Sequence, residues 1–146
     1  MTPLIVDTDT VDDDVFSLLL ALLDPRAKLE AITIVCGNVG FEQEVENALY
    51  TVEMAGRGGE VPVYAGCADP LCAEWVGAEY VHGQDGMGDS GFPQALQRAE
   101  AENAVDELVH RVGEPGGADD PPERNARIVT DFDTEGFFEL MVSTLS

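Results

Sequence analysis

The chain has 146 residues, the size of one domain, and its 29 acidic and 7 basic residues give a formal net charge of -22. This charge excludes binding to a nucleic-acid backbone or an anionic membrane surface, because both need positive charge. The hydrophobic fraction of 45%, gathered in compact runs such as residues 16–23, excludes disorder. No signal peptide precedes the first apolar run, and no apolar stretch approaches the ~18 residues of a membrane span, so we expect a cytoplasmic protein.

The many carboxylates and the single lysine, Lys28, are typical of proteins from salt-loving organisms, in which concentrated salt screens self-repulsion. We therefore expect the fold to lose compactness at low ionic strength. The three cysteines, Cys36, Cys67 and Cys72, match no zinc spacing, and we expect buried free thiols and no disulfide framework.

Apolar runs and helical periodicity alternate along the first half of the chain. Residues 4–6 predict a strand, and residues 13–23 predict a helix that is buried on much of its circumference and stopped by Asp24-Pro25. The β-branched segment 29–35 predicts a second strand. Residues 42–55 then predict an amphipathic helix whose apolar positions are Val45, Ala48, Leu49 and Val52.

The second half of the chain contains a third short strand, at 61–64, and a long irregular, glycine-rich segment at 68–100. A helix is predicted at 103–112, a Gly- and Pro-rich linker at 113–125, a strand at 127–132 and a last helix at 134–145. Strands and helices that alternate over short connections imply right-handed crossovers. The predicted fold class is therefore α/β, a mostly parallel, Rossmann-like open sheet with flanking helices, in one domain over 1–146.

An acidic loop follows the first strand, where Asp7, Asp9 and residues 12–14 place five carboxylates in eight positions. Ligands bind at this edge of open α/β sheets. One interpretation is a cluster at a helix N-terminus, where Asp13 and Asp14 gain from the helix dipole. Another is a site for a hard divalent cation, with Ca²⁺ favoured over Mg²⁺ if several carboxylates converge. An EF-hand is excluded because its sixth position would be Asp12 instead of Gly.

Two families carry an apolar strand followed by Asp-x-Asp. Residues 4–11 resemble the first motif of haloacid-dehalogenase-type phosphotransferases, in which Asp7 would be the nucleophile and Asp9 the acid/base. Those enzymes also need a downstream lysine, and Lys28 comes too early in the chain. That resemblance is therefore the weaker one.

The stronger resemblance is to the inosine-uridine-preferring nucleoside hydrolases. Their signature D-x-D-x-x-x-D-D, followed by a leucine-rich helix, is matched by Asp7, Asp9, Asp13 and Asp14. The match continues through residues 32–38 (ITIVCGN), 47–66, 81–88 (VHGQDGMG) and 103–109. The resemblance implies hydrolysis of the N-glycosidic bond of ribonucleosides through an oxocarbenium-like transition state.

The resemblance also implies roles for individual residues. Asp7 would be a Ca²⁺ ligand and the base for the attacking water, and Asp14 a second Ca²⁺ ligand. Asp13 would hold a ribose hydroxyl, and Asn38 would lie beside water and sugar. His82 would lie near the nucleobase, while Asp9 would support the site from behind. The implied cofactor is Ca²⁺ and the implied partner a small ribonucleoside; a homo-oligomer stays an open alternative.

Two departures from the family pattern stand out. Val11 replaces the usual glycine, and a valine disfavours a positive φ. The match also stops near Gly113, and residues 130–145 resemble the extreme C-terminus of the family, which predicts an internal deletion at 113–125. The missing middle normally supplies further metal and ribose ligands. An alternative to the hydrolase is therefore a degenerate remnant that binds nucleoside or metal without turnover.

Overall fold

The computed structural model describes residues 2–112. The predicted linker at 113–125, the strand at 127–132 and the helix at 134–145 lie outside the described residues, as does the question of whether 1–146 form one domain. The elements within the described part are three strands and four helices: β1 (Thr2–Thr8), α1 (Asp12–Leu23), β2 (Ala27–Ile34), α2 (Phe41–Met54), β3 (Val63–Ala65), α3 (Glu79–His82) and α4 (Ala104–Val112).

The three strands form one parallel sheet in the order β1-β2-β3. Asp7 near the end of β1 lies opposite Thr33 of β2, which in turn lies opposite Tyr64 of β3. The predicted α/β class and parallel sheet are confirmed. Because all three strands run the same way, the segments that follow β1 and β2 meet at one edge of the sheet.

The helices cover both faces of the sheet. On one face, Ile32 and Val63 pack into a core with buried residues of α1 and α2. On the other face, Ala31 and Tyr64, which alternate with them along the strands, pack with Ala104 of α4. The helices α1 and α2 therefore lie on the opposite side of the sheet from α4.

The helix α4 runs antiparallel to the strands. Its first residue, Ala104, lies beside Gly66, just after the end of β3: a Cβ added to Gly66 would be 3.3 Å from the Ala104 side chain. Near its other end, Arg111 pairs with Glu30 in the first half of β2 at 3.6 Å. The chain therefore leaves α4 near the amino ends of the strands.

The first helix is less deeply buried than its sequence predicts. Val15, Leu18, Leu20 and Leu22 are buried, but Phe16 is 50% and Leu23 41% exposed. The prediction that this helix is covered on much of its circumference is therefore wrong at those two positions, because the buried side chains of α1 pack on the side that faces the sheet and α2. None of the described helices has the length and apolar character needed to cross a membrane.

All three cysteines are free, as expected. Cys36 is half-buried at the end of β2, whereas Cys67 and Cys72 are exposed in the irregular segment after β3. The expectation of buried thiols is therefore wrong for Cys67 and Cys72, since the segment that carries them lies at the surface.

Candidate active site

The candidate site lies where the loops after β1 and β2 meet, at the carboxyl edge of the sheet. Asp9 follows β1, and Gly37 and Asn38 follow β2. One carboxylate oxygen of Asp9, Oδ2, accepts hydrogen bonds from the backbone nitrogen of Asn38 at 3.1 Å and from its side-chain Nδ2 at 2.7 Å. A Cβ at Gly37 would lie 1.8 Å from that same oxygen, so the glycine is required for Asp9 to reach this position.

Asp14, in the first turn of α1, is the second carboxylate at this point. It accepts a hydrogen bond from the backbone nitrogen of Val11 at 3.3 Å, which holds the start of the helix. Burial raises the pKa of Asp14, and the neighbouring carboxylate of Asp9 raises it further against the lowering effect of the Val11 amide. Asp9 and Asp14 therefore form a pair of like charges for which a cation is the natural compensation.

Asp7 has a different environment. Its carboxylate Oδ1 accepts a 2.6 Å hydrogen bond from the hydroxyl of Thr33, its neighbour across the β1-β2 ladder. The residue is exposed. Thr33 is buried, so it fixes the Asp7 side chain on the sheet face that carries α4.

A third group joins the start of α1 to the short helix α3. Nδ1 of His82 lies 2.7 Å from Oδ1 of Asp12, and that oxygen also accepts from the backbone nitrogen of Asp13 at 2.9 Å. Ligand atoms of Asp12, Asp13 and His82 all lie within 4.8 Å of one another, and among the described residues they form the one such group of three. This is a possible acidic metal site. The structure thus brings together Asp13 and His82, both predicted from the sequence, whereas Asp7 and Asp14 belong to no such group.

The glycine-rich loop is an ordered turn built around Asp85. The Asp85 carboxylate accepts from the backbone nitrogens of Met87 and Asp89, both at 2.8 Å, and of Gly91 at 3.0 Å. Burial acts to raise the pKa of Asp85, but these amide bonds together hold it below its ordinary value. The loop is therefore fixed by its own side chain.

Asn47 of α2 ties this loop to the loop after β1. Its buried side-chain nitrogen donates to the carbonyl of Thr10 at 3.0 Å and to that of Asp85 at 2.9 Å. Gly86 packs directly on this junction with a φ of +67°, and a Cβ there would lie 3.1 Å from Nδ2 of Asn47 and from a methyl of Val11. The glycine loop and the acidic loop therefore share one support.

Val11, which stands where the family pattern usually has glycine, adopts its backbone conformation without strain. Val11 has a φ of -110°, which any residue adopts, and its side chain is buried. The positive φ in this loop falls one residue earlier, at Thr10, with 26°. Val11 therefore serves as a packing residue under Gly86.

Sequence reasoning missed Glu44, which holds the turn that carries Asn38. This side chain is fully buried, and its Oε1 accepts from the backbone nitrogens of Gly37 at 3.1 Å and Val39 at 3.0 Å. Burial raises the pKa of Glu44 to about 7, with a further contribution from Asp9, against the lowering effect of the amide bonds. From the other side, the indole nitrogen of Trp75 donates to the carbonyl of Gly37 at 2.7 Å.

Asp12 was also missed as a partner of His82. The two residues are 70 positions apart, and no local pattern links them. For Glu44 a signal was present, because Glu44, Asn47 and Thr51 recur at helical spacing beside the apolar positions of α2 and are all buried. Buried polar residues on a helix need partners, and here the partners are the site loops.

Comparison with known proteins agrees with this geometry. The sequence model of the family described as inosine-uridine preferring nucleoside hydrolase matches residues 4–119. The chain is 39% identical over 104 residues to the inosine-uridine preferring nucleoside hydrolase of Crithidia fasciculata, covering 71% of this chain and 31% of that protein. It is 37% identical over 115 residues to probable uridine nucleosidase 1 of Oryza sativa subsp. japonica, covering 77% of this chain and 35% of that protein.

A solved structure gives the same result. The purine-preferring ribonucleoside hydrolase from Gardnerella vaginalis superimposes with a TM-score of 0.70 at 35% identity, covering 77% of this chain and 37% of that chain. The chain thus spans about a third of the length of the relatives it matches. The acidic loop, the Asn38 turn and the glycine loop all fall within the matched segment, and the chain belongs to the inosine-uridine preferring nucleoside hydrolase family.

Proposed function

We propose that this protein hydrolyses the N-glycosidic bond of ribonucleosides to free base and ribose, with Ca²⁺ as its cofactor. The observation that carries the proposal is the position of Asp9, whose carboxylate lies against both Asn38 and Asp14 at the carboxyl edge of the sheet. The substrate class comes from the family and is a proposal for this chain, because the chain spans about a third of its relatives' length.

The residues at this edge suit a hard divalent cation. Asp9 and Asp14 offer carboxylate oxygens, and the burial of Asp14 beside Asp9 leaves their charge uncompensated by any basic partner in the described contacts. Carboxylate oxygens are the ligands that Ca²⁺ takes in proteins. When bound, Ca²⁺ would balance this charge and orient a water molecule and the ribose hydroxyls.

The contacts refine the division of roles among the aspartates. Asp7 and Asp14 are the ligands that the family resemblance implies, but Asp7 is held by Thr33, whereas Asp9 lies beside Asp14. We therefore place Asp9 and Asp14 at the centre of the cation site, with Asp7 at its margin. Asp9 would accept the proton of the attacking water, while Asn38 holds the Asp9 carboxylate in place.

The acidic side chains also suit the transition state. The ribosyl group becomes positively charged as the base departs, and a preorganised negative field at the sugar stabilises that charge. Asp13 would hold a ribose hydroxyl. His82 is held through Nδ1 by the Asp12 carboxylate, which can only accept, so Nε2 of the imidazolium form would be the donor toward the departing base.

The second candidate is a protein that binds nucleoside or Ca²⁺ without turnover. It is favoured by the short span of the chain relative to its relatives. Loss of groups that contact the transition state lowers the rate by several orders of magnitude and leaves part of the binding energy intact.

Ribose release separates the two candidates. The purified full chain is incubated in molar salt with Ca²⁺ and inosine or uridine, and free ribose is measured. We expect Asp9→Asn to lower the rate by a factor of about 100 or more, as expected for loss of a general base. Asp106→Asn, which removes the same charge from an exposed position on α4, should leave the rate unchanged.

Calorimetric titration with Ca²⁺ distinguishes the outcomes in which no ribose is released. Calcium binding that Asp9→Asn weakens, without ribose release by the wild type, supports the binding protein. Absence of both ribose release and calcium binding overturns the proposal.

A further inference from the structure

Two cysteines lie side by side just after β2 and β3 end. The ladder between these strands ends with Ile34 opposite Ala65, and continuing that register by two residues places Cys36 opposite Cys67. The two backbones stay bonded there, because the backbone nitrogen of Cys36 donates to the carbonyl of Cys67 at 3.0 Å. Opposed residues on neighbouring strands lie about 5 Å apart, within the Cα separation of about 4.4 to 6.8 Å that a disulfide spans. The fold therefore brings to disulfide range two cysteines that are 31 positions apart in the sequence.

The backbones are closely packed at this point. The backbone nitrogen of Gly66 donates to the carbonyl of Ile34 at 2.8 Å, and a Cβ added to Gly66 would lie 2.5 Å from that same oxygen. The glycine therefore allows the segment after β3 to approach the end of β2 this closely. Cysteines held at this separation can be bridged without backbone movement.

The two thiols differ in their accessibility. Cys67 is exposed, whereas Cys36 is half-buried. Partial burial raises the pKa of the Cys36 thiol, and the neighbouring Glu44, Asp69 and Cys67 raise it further. A thiol attacks as its thiolate, so the exposed Cys67 is the one that an external reagent meets first. Cys36 is then the neighbour that can displace the reagent from Cys67.

We propose that Cys36 and Cys67 form a reversible disulfide by exchange with a low-molecular-weight disulfide. The Cys67 thiolate attacks one sulfur of this reagent, whose S–S bond breaks, and one thiolate leaves and takes up a proton. The Cys36 thiolate then attacks the Cys67 sulfur, and the second half of the reagent leaves as a thiol in the same way. Two thiols of the protein are thus oxidised to one disulfide, while the reagent is reduced to two thiols.

The bond fastens the turn that carries Asn38 to the segment after β3. Cys36 directly precedes Gly37 in this turn. The Gly37 nitrogen donates to Glu44 at 3.1 Å, and its carbonyl accepts from Trp75 at 2.7 Å. A link at Cys36 adds a covalent hold beside these two hydrogen bonds. The inference rests on the pairing of β2 with β3 and stands whether or not the proposed hydrolysis is correct.

Oxidation of the folded full chain identifies the partner of Cys36. The neutral bis(2-hydroxyethyl) disulfide is the oxidant, because the net charge of -22 repels an anionic reagent. After the remaining thiols are alkylated, digestion with trypsin, which cuts after Lys and Arg, leaves Cys36 in peptide 29–57 and the other two cysteines in peptide 58–98. We expect a disulfide that joins these two peptides, measured by mass spectrometry.

Two matched variants show which thiol of peptide 58–98 is joined. Cys72→Ser removes the other exposed cysteine and should keep the cross-link, whereas Cys67→Ser should lose it. Circular dichroism checks that both variants are folded. A cross-link that persists in Cys67→Ser and disappears in Cys72→Ser overturns the proposal, and so does a disulfide-linked dimer as the main product.

Oxidation in urea supplies the reference for the unfolded chain. There the choice of partner follows loop length, and Cys67 is 5 positions from Cys72 but 31 from Cys36. Closure of the shorter loop is favoured by about tenfold, so a disulfide between Cys67 and Cys72 should dominate. We expect the folded chain to reverse this preference. The same ratio of products with and without urea contradicts the proposal.

The stability of the oxidised chain tests whether the bond fits the native structure. A disulfide between Cys36 and Cys67 should raise the urea midpoint by about 1 M or more. Cys72→Ser should keep this shift. The double variant Cys36→Ser with Cys72→Ser, in which no disulfide can form within the chain, should show none. A midpoint that falls on oxidation means that the bond distorts the native pairing, which overturns the proposal.

Discussion

The buried carboxylate of Glu44 makes the stability of the fold depend on pH in a calculable way. Its pKa is raised from 4.5 to about 7, chiefly by burial. Between these two values the folded state holds a proton that the unfolded state has released. The free energy of unfolding therefore falls as pH rises through this interval, and the full penalty is present above pH 7.

The size of the effect follows from the two pKa values. A difference from 4.5 to about 7 corresponds to about 3 kcal/mol, of which about 2 to 3 kcal/mol is expressed between pH 5 and pH 8. Asp14 contributes in the same direction because its pKa is also raised. A comparison of variants is therefore needed to isolate Glu44.

The assay is urea unfolding of the full chain at several pH values in molar salt with a chelator. Glu44→Gln keeps an oxygen for the amides of Gly37 and Val39 but cannot ionise, so its stability should vary less with pH than the wild type by about 2 to 3 kcal/mol. Glu42→Gln makes the same change at an exposed position of α2 and should keep the wild-type profile. Parallel pH profiles for the wild type and Glu44→Gln would refute the argument from burial.

Three further predictions concern packing and charge. Gly86→Ala should lower the free energy of unfolding in urea by about 2 kcal/mol or more. Gly88 has the same positive φ but nothing within 4 Å of an added Cβ, so Gly88→Ala should lower it by only about 1 to 2 kcal/mol. Equal losses would show that the contacts at Gly86 are unimportant. Leu18→Ala, at a fully buried position, should lower the free energy of unfolding by about 2 to 5 kcal/mol. Phe16→Ala, on the exposed side of α1, should lower it by well under half of that amount. A larger loss at Phe16 would mean that another part of the chain covers α1. The net charge of -22 should make the fold lose compactness in dilute buffer, because the repulsion between carboxylates is then poorly screened. The screening length is about 10 Å at 0.1 M salt and about 3 Å at 1 M. Circular dichroism that is unchanged between dilute buffer and molar salt would contradict the interpretation as a salt-adapted protein.

The secondary structure of the first 65 residues was predictable because hydrophobic periodicity reports directly on burial. The alternation of strands and helices specified a parallel sheet, and a parallel sheet places Asp9 and Asn38 at one edge. Their presence at one edge is therefore a consequence of topology, whereas the hydrogen bonds between them are a finding of the structure.

The support of the site was not predictable in the same way. The helical spacing of Glu44 beside the apolar positions of α2 is compatible with burial, but no sequence pattern identifies its partners, the backbone amides of Gly37 and Val39. The pair of Asp12 and His82 depends on how the irregular segment after β3 folds back on α1. Periodicity carries no information about such a segment, because it has no repeating face.

Asn47 has a consequence for how the site accommodates a ligand. Its one amide nitrogen serves both the loop after β1 and the glycine loop. If either loop moved away alone, one N–H of the buried Asn47 amide would be left unpaired, which costs about 1 to 3 kcal/mol. The two loops are thus held together, and the edge of the sheet is preorganised for a ligand, so binding need not include the entropy of ordering them.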